Sequence, residues 1–154
     1  LDVSRNPLGE LPSALSLLTR LTKLVAAGNW LAALPLELIA LSQLRHLDVS
    51  ANRLEQLPEG LSRLSQLELL RAQSNALDTL PPSWTQLTTL ERLDLSLNAL
   101  THLPPGLSAL QRLRHLAAHS NRLTGFPAAA AAALGAMTHL NLSLNLLTSL
   151  PEEL

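Results

Sequence analysis

The chain has 154 residues, a formal net charge of −1, 47% hydrophobic residues and no cysteine. The balanced charge without a basic cluster argues against a nucleic-acid-binding surface. Polar residues also interrupt every run of apolar ones before the roughly 20 residues that cross a bilayer, so we expect no membrane insertion. The absence of cysteine favours a reducing compartment, and we therefore expect a cytoplasmic protein.

A repeat of 23 residues organises the whole sequence. Six asparagines stand at this spacing and a seventh follows one residue late: Asn6, Asn29, Asn52, Asn75, Asn98, Asn121 and Asn145. Self-similarity at such a period indicates stacked supersecondary units in which each copy contacts only its neighbours. The seven copies begin at residues 1, 24, 47, 70, 93, 116 and 140.

The first part of each copy predicts a short strand. A leucine, an arbitrary residue and a second apolar residue alternate with period two, which is typical of a strand with one buried face. At the start of the third copy we expect Leu47 and Val49 to point into the core, and His46 (the last residue of the second copy), Asp48 and Ser50 to point outward. Seven such strands would stack in parallel. The asparagine that follows each strand is predicted to satisfy backbone groups of neighbouring turns.

The second part of each copy begins with a proline, as in Pro12 and Pro35. Its fixed φ and missing N–H suit the first position of a helical turn. Apolar residues then recur at every third position, which predicts a short helical or 3₁₀ turn on the convex side. In the sixth copy, six consecutive alanines begin at Ala128 and the copy has 24 residues. We expect a slightly longer, thinly packed helix there, with the extra residue inserted on the convex side.

These residues form one template: Leu-x-apolar-x-x-Asn-x-Leu-x-x-Leu-Pro, followed by leucine at every third position. It resembles the leucine-rich repeat family, in the 23-residue form with a Leu-Pro step that is common in intracellular Ras-associated leucine-rich-repeat proteins. The resemblance implies an α/β solenoid, a horseshoe segment with short parallel strands on its concave face. It also implies that the partner is another protein. Because neither end carries a polar capping unit, we expect residues 1–154 to be an uncapped segment of a longer protein.

Outward strand residues should align in columns across the concave face. The charges of Asp48, Arg71 and Asp94 alternate in sign and predict a charge ladder, for which stabilisation of the sheet is a sufficient explanation. Towards the C-terminal end, leucines join imidazoles, and an exposed leucine on a sheet has no structural need. The predicted partner-binding patch comprises Arg71, Arg92, Leu97, His115, His119, His139 and Leu144.

Nothing in the sequence predicts catalysis or a cofactor. It contains no cysteine nucleophile and no Gly-rich phosphate loop, and it has no paired carboxylates outside the repeating frame. His115 and His139 should lie within about 5 Å of each other on neighbouring strands. Two histidines without a third ligand do not make a zinc site, so we interpret them as solvated side chains.

Three functions are compatible with this reading. The first is a protein-binding scaffold, in intracellular signalling if the family resemblance holds. The second is the recognition arm of a multidomain enzyme, such as a kinase, a GTPase or a ubiquitin ligase, whose catalytic domain lies outside these residues. The third is a spacer that oligomerises or separates neighbouring domains.

Overall fold

The structure is a computed structural model that describes residues 1–130 and 135–152. Its strands form a six-stranded parallel sheet whose order follows the chain. The strands are β1 (Lys23–Val25), β2 (His46–Asp48), β3 (Leu69–Arg71), β4 (Arg92–Asp94), β5 (His115–Ala117) and β6 (His139–Asn141). The parallel pairing predicted from the repeat is confirmed.

The first copy contributes an isolated bridge in place of the expected seventh strand. Asp2 pairs with Val25 in parallel, and the Val3 N–H donates to the Val25 carbonyl at 2.8 Å. Each of the six strands begins one residue before its leucine, whereas the bridge in the first copy involves Asp2, one residue after its leucine.

Leucines at the strand centres build the core. Each pairs with its equivalent on the next strand, from Leu24 to Leu140, and the first five are at most 2% exposed. Leucines from the second part of each copy pack against them from the convex side. Full burial of one such side chain stabilises the fold by about 1.5–3 kcal/mol. The regular spacing of these leucines therefore fixes the register of the strands.

The convex side consists of short 3₁₀ turns, as the three-residue apolar spacing predicts. They are η1 (Ser13–Leu17), η2 (Leu36–Ala40), η3 (Glu59–Arg63), η4 (Pro82–Gln86), η5 (Pro105–Ala109) and η6 (Ala128–Ala130). The proline lies just before the turn and not at its first position: Pro35 is extended, with φ −64° and ψ 140°. Its carbonyl accepts the Leu38 N–H at 3.1 Å, which starts the 3₁₀ bonding pattern. The fixed φ of proline is compatible with both positions.

The extra residue of the sixth copy leaves the sheet undisturbed. The strand register continues from Leu116 to Leu140. Asn145 donates to the Ala118 carbonyl at 2.9 Å, just as Asn121 donates to Leu95 at 3.0 Å. The prediction of a longer alanine helix falls partly on residues 131–134, which lie outside the described residues.

The asparagines join each copy to the one before it. In the third copy, the Asn52 Nδ2 donates to the carbonyls of Ala26 at 3.0 Å and Val49 at 2.9 Å, while its Oδ1 accepts the Leu31 N–H at 3.0 Å. Asn29, Asn75, Asn98, Asn121 and Asn145 repeat this arrangement. The structural role predicted for these amides is confirmed.

A left-handed turn precedes every asparagine. The residue there has a φ between 52° and 66° in all seven copies: Arg5, Gly28, Ala51, Ser74, Leu97, Ser120 and Leu144. The strand has therefore already ended, and this column lies outside the sheet face on which the predicted patch placed Leu97 and Leu144. A non-glycine residue in this conformation costs about 1–2 kcal/mol, so the surrounding bonds of the asparagine must hold it.

Neighbouring copies also have complementary shapes on the convex side. A Cβ at Gly106 would lie 2.0 Å from the Thr85 Cγ2 of the preceding copy, and a Cβ at Gly60 would lie 2.9 Å from the Ile39 Cγ2. Carbon atoms normally approach to about 3.5–4.0 Å. Glycine at these two positions therefore makes room for the β-branched side chain of the copy before it.

Candidate functional site

The outer side of strands β3 to β6 forms an open concavity of about 530 Å³. It lies on the side of the sheet opposite the 3₁₀ turns, because outward strand residues alternate with the buried leucines. The polar side chains that line it are Arg71, Arg92, Asp94, His115, Thr138, His139 and Asn141.

Four of the seven predicted site residues meet in this concavity: Arg71, Arg92, His115 and His139. They lie on four consecutive strands, at the edge positions of each three-residue strand. The predicted columns that begin just before and just after each leucine therefore do face a common open surface.

The remaining three predicted residues lie outside the lining. Leu97 and Leu144 occupy the left-handed turn after the strand, where they are 51% and 78% exposed. His119 follows the end of β5, and its Nδ1 lies 3.2 Å from the Ser120 Oγ. The strands are only three residues long, whereas the predicted patch assumed a strand that extends to these positions.

His115 and His139 stack face to face in the concavity. Their ring centroids are 4.5 Å apart with an interplanar angle of 17°, which confirms the predicted proximity. Partial burial, followed by the charges of His139, Arg92 and Arg114, lowers the pKa of His115 below its ordinary value of 6.5. The His139 Nδ1 lies 3.0 Å from the Thr138 Oγ1, which fixes its ring orientation.

The charge ladder is present on one side only. The Arg71 Nη1 lies 3.7 Å from the Asp48 Oδ2, whereas no ion pair joins Arg71 to Asp94 among the described residues. Both aspartates accept hydrogen bonds through Oδ1 from the serine two residues later: Asp48 from Ser50, and Asp94 from the Ser96 N–H at 3.1 Å and the Ser96 hydroxyl at 2.6 Å. An exposed pair of this kind contributes about 0–1 kcal/mol, so it stabilises the sheet weakly.

Three side chains of interest were absent from the predicted patch. Thr138 and Asn141 line the concavity beside His139. Their positions in the sequence, one residue before and two residues after His139, could have indicated that they belong to the same surface. Trp30 is 55% exposed and lies under the Arg53 guanidinium, whose Cζ is 5.4 Å from the ring centroid. Trp30 and Arg53 occupy the same repeat position, 23 residues apart.

The described part of the chain holds no group of three or more His, Asp or Glu side chains placed to bind one metal ion. Within the same ranges, no helix has the length and apolar content needed to cross a bilayer.

Comparison with known proteins identifies the repeat. Residues 36–153 match the family model described as a leucine-rich repeat region. A leucine-rich-repeat protein of Leptospira interrogans is 28% identical, with a TM-score of 0.73, over 99% of this chain and 50% of that chain. An internalin of Listeria monocytogenes is 25% identical, with a TM-score of 0.81, over 91% of this chain and 40% of that one.

A plant peptide hormone receptor, RGFR1 in complex with RGF2, is 28% identical, with a TM-score of 0.85, over 95% of this chain and 24% of that one. The chain thus spans between about a quarter and half of the length of these solved proteins. The search of curated proteins gave no match. On the family match and the parallel solenoid together, the chain belongs to the leucine-rich repeat family.

Proposed function

We propose that this chain is a protein-binding module that holds its partner on the concave face. The observation that carries the proposal is the open concavity of about 530 Å³ along β3 to β6. It is lined by strand residues and by Thr138 just before β6, and none of the described 3₁₀ residues is among them. The solved plant receptor, which is similar over 95% of this chain, holds the peptide hormone RGF2.

The proposed contact surface has a floor and a rim. Arg71, Arg92, His115 and His139 form the floor because they line the concavity. Leu97, His119 and Leu144 form the rim, because they follow the ends of the strands. A partner that fills the concavity and extends beyond β6 would bury the exposed Leu144, and burial of a leucine side chain contributes about 1.5–3 kcal/mol.

The proposal is tested by selecting binders of the 154-residue chain from a displayed library of random dodecapeptides. A variant with Arg92→Ser and His139→Ser changes the floor, and a control with Arg112→Ser and His102→Ser changes the same residue types at exposed positions outside the lining. We expect most selected peptides to lose binding to the floor variant and to keep binding to the control. Peptides that bind both variants equally would refute the proposal.

We also propose that the module works in the cytoplasm, in signalling. The location is supported by the complete absence of cysteine, since proteins of oxidising compartments commonly use disulfides. The role in signalling is supported by the resemblance of the repeat template to intracellular Ras-associated leucine-rich-repeat proteins. Fractionation of the cells that express the protein, with an antibody raised against this chain, tests the location. Recovery of the protein in the secreted fraction would contradict this part of the proposal.

A second candidate is that the module is the recognition arm of a multidomain enzyme. One solved chain with a similar fold, 26% identical over 90% of this chain, is the Arabidopsis receptor kinase HAESA, of which this chain covers 24%. The full-length transcript distinguishes the two candidates. A reading frame that contains kinase, GTPase or ubiquitin ligase motifs supports the second candidate, and a frame without a catalytic domain removes it.

A further inference from the structure

The C-terminal half of the concave face presents a row of basic side chains. Arg92 pairs with His115 across β4 and β5, and His115 pairs with His139 across β5 and β6. The three side chains therefore stand next to one another at one level of the sheet. In the described ranges, no salt bridge engages Arg92 and no hydrogen bond reaches either ring nitrogen of His115.

Of the acidic groups nearby, one lines the concavity and two lie outside it. Asp94, on β4, lines it; its Oδ1 accepts two hydrogen bonds from Ser96, and no salt bridge within the described ranges joins its carboxylate to an arginine. Asp48 lies outside the lining and pairs with Arg71. Glu91 precedes Arg92 and lies outside the lining as well.

The charge of this region therefore differs from that of the chain. The chain has a net charge of −1, whereas two arginines and one aspartate line the concavity. Arg114, which precedes His115, adds positive charge close to the imidazole rings. Protonation of a histidine makes the concavity more positive still, so the surface is complementary to an anion.

We propose that this part of the concave face binds a carboxylate group of an acidic segment of the partner protein, held by Arg92 together with a proton on the His115–His139 stack. The inference rests on the proposed function and specifies the chemistry of the partner. Arginine is suited to the contact because its planar guanidinium donates two parallel hydrogen bonds to a carboxylate. The imidazole of His115 donates a further charge-assisted bond when it is protonated.

The proposed contact makes binding dependent on pH. In the free chain, partial burial and the charges of His139, Arg92 and Arg114 keep the pKa of His115 below 6.5, so His115 is mainly neutral at pH 8. A carboxylate beside its ring favours the protonated form and raises the pKa of His115. Binding therefore takes up a proton, and affinity rises as the pH falls through the pKa of the complex towards that of the free chain.

The test uses a fluorescein-labelled hexaglutamate peptide with blocked termini and the 154-residue chain, with anisotropy measured at pH 6 and pH 8. Glutamate remains ionised at both values, so the probe itself does not titrate. Uptake of one proton allows at most about a hundredfold change in affinity over two pH units, and we expect about tenfold tighter binding at pH 6. A hexaglutamine peptide should not bind at either pH.

Variants assign the effect to the stack. His115→Asn with His139→Asn should abolish the difference between the two pH values, and Arg92→Ala should weaken binding at both. The control His102→Asn, at an exposed position outside the lining, should behave like the unaltered chain. Equal affinity at the two pH values, no hexaglutamate binding, or a pH effect that survives in the double variant would each overturn the inference.

Failure of this inference is distinguishable from failure of the proposed function. The dodecapeptide selection reports any partner that uses the concave face, whatever its charge. If selected peptides depend on the floor residues but hexaglutamate does not bind, the face is a binding surface for a different chemistry, and the carboxylate inference alone is wrong.

Discussion

Replacement of Gly106 by alanine tests the packing between the fourth and fifth copies. The added Cβ would lie 2.0 Å from the Thr85 Cγ2 and 3.1 Å from the Thr85 Cβ. Ordinary contacts between carbon atoms are about 3.5–4.0 Å, so the methyl group of Thr85 or one of the two turns must move by roughly 1.5 Å. Gly106 lies in η5 and does not have a left-handed φ, so the substitution introduces no backbone strain of its own.

The expected magnitude follows from two opposing terms. Overpacking of this kind costs about 1–3 kcal/mol, and rotating Thr85 away from the clash costs about 0.5–1.5 kcal/mol if an off-rotamer geometry relieves it. Replacing glycine also restricts the unfolded chain, which stabilises the folded state by about 0.4–1 kcal/mol. We therefore expect Gly106→Ala to lower the free energy of unfolding by about 1–2 kcal/mol.

Urea unfolding of a double-mutant cycle provides the measurement. Thr85→Ser removes the Cγ2 atom and keeps the hydroxyl, so most of the penalty of Gly106→Ala should disappear in the double variant, with a coupling energy of about 1 kcal/mol. Gly125→Ala is the matched control, because no heavy atom lies within 4 Å of a Cβ there. The packing argument fails if Gly106→Ala is as stable as Gly125→Ala, or if Thr85→Ser leaves its penalty unchanged.

Three further predictions concern the repeat itself. Asn75→Ala should lower the free energy of unfolding in urea by about 1–3 kcal/mol, because the Leu54 N–H loses its acceptor and the carbonyls of Val49 and Ala72 each lose one of their two asparagine donors. Asn6→Ala, at an exposed position, should have little effect, and equal effects would contradict this. Gly28→Ala should destabilise by about 1 kcal/mol and Leu97→Gly should raise the Tm, because both positions have a positive φ; a lower Tm for Leu97→Gly would count against it. The pKa of His115 is lowered in the folded chain, so acidification from pH 7.5 to 5.5 protonates this histidine more readily in the unfolded chain and lowers the Tm. His115→Asn should therefore reduce this loss of Tm, and an unchanged loss would contradict the prediction.

The fold followed from the sequence because one residue type recurs at one position in every copy. Leucine at the strand centre can be buried in all copies only if the strands are parallel and in register, and Leu47 pairs with Leu70 as this requires. The asparagine bonds followed in the same way, since a repeated buried amide must be satisfied by repeated backbone groups.

The limits of the strand did not follow from the sequence. In the fifth and seventh copies, apolar and polar residues continue to alternate up to Leu97 and Leu144, so no break in the pattern marks the end of the strand. Only Gly28 indicates the left-handed conformation in the sequence, because the other six copies have a non-glycine residue at this position. Tertiary bonds of the asparagines enforce that turn, and local propensity does not.

The geometry of the candidate site was predictable only in part. The register placed His115 beside His139, but their stacking depends on side-chain rotamers. Arg71 has an aspartate on each side, and each aspartate is followed two residues later by a serine to which it is bonded. The sequence therefore offers no basis for the pairing with Asp48 alone.

The structural repeat is two copies long. Asp2, Asp48, Asp94 and Asn141, all in odd-numbered copies, accept hydrogen bonds from the serine two residues later. The even-numbered copies instead carry Ala26, Ala72 and Ala118 at the buried position that follows the strand. On the convex side, the β-branched Ile39 and Thr85 of even copies fit against the glycines of odd copies. Large and small side chains thus alternate from copy to copy, so an even copy is shaped to precede an odd one.

This alternation predicts that removal of two copies destabilises the chain less than removal of one copy. In a repeat array, stability grows with the number of interfaces, so removal of residues 47–69 should be less harmful than removal of residues 47–92. Removal of one copy, however, places Ile39 against Ser83 in place of a glycine, and the Cβ clashes. Removal of two copies places Ile39 against Gly106 and preserves the alternation. We expect the chain that lacks residues 47–92 to have a higher urea midpoint than the chain that lacks residues 47–69. The opposite order would show that successive copies are interchangeable, and the inference of a two-copy unit would be wrong.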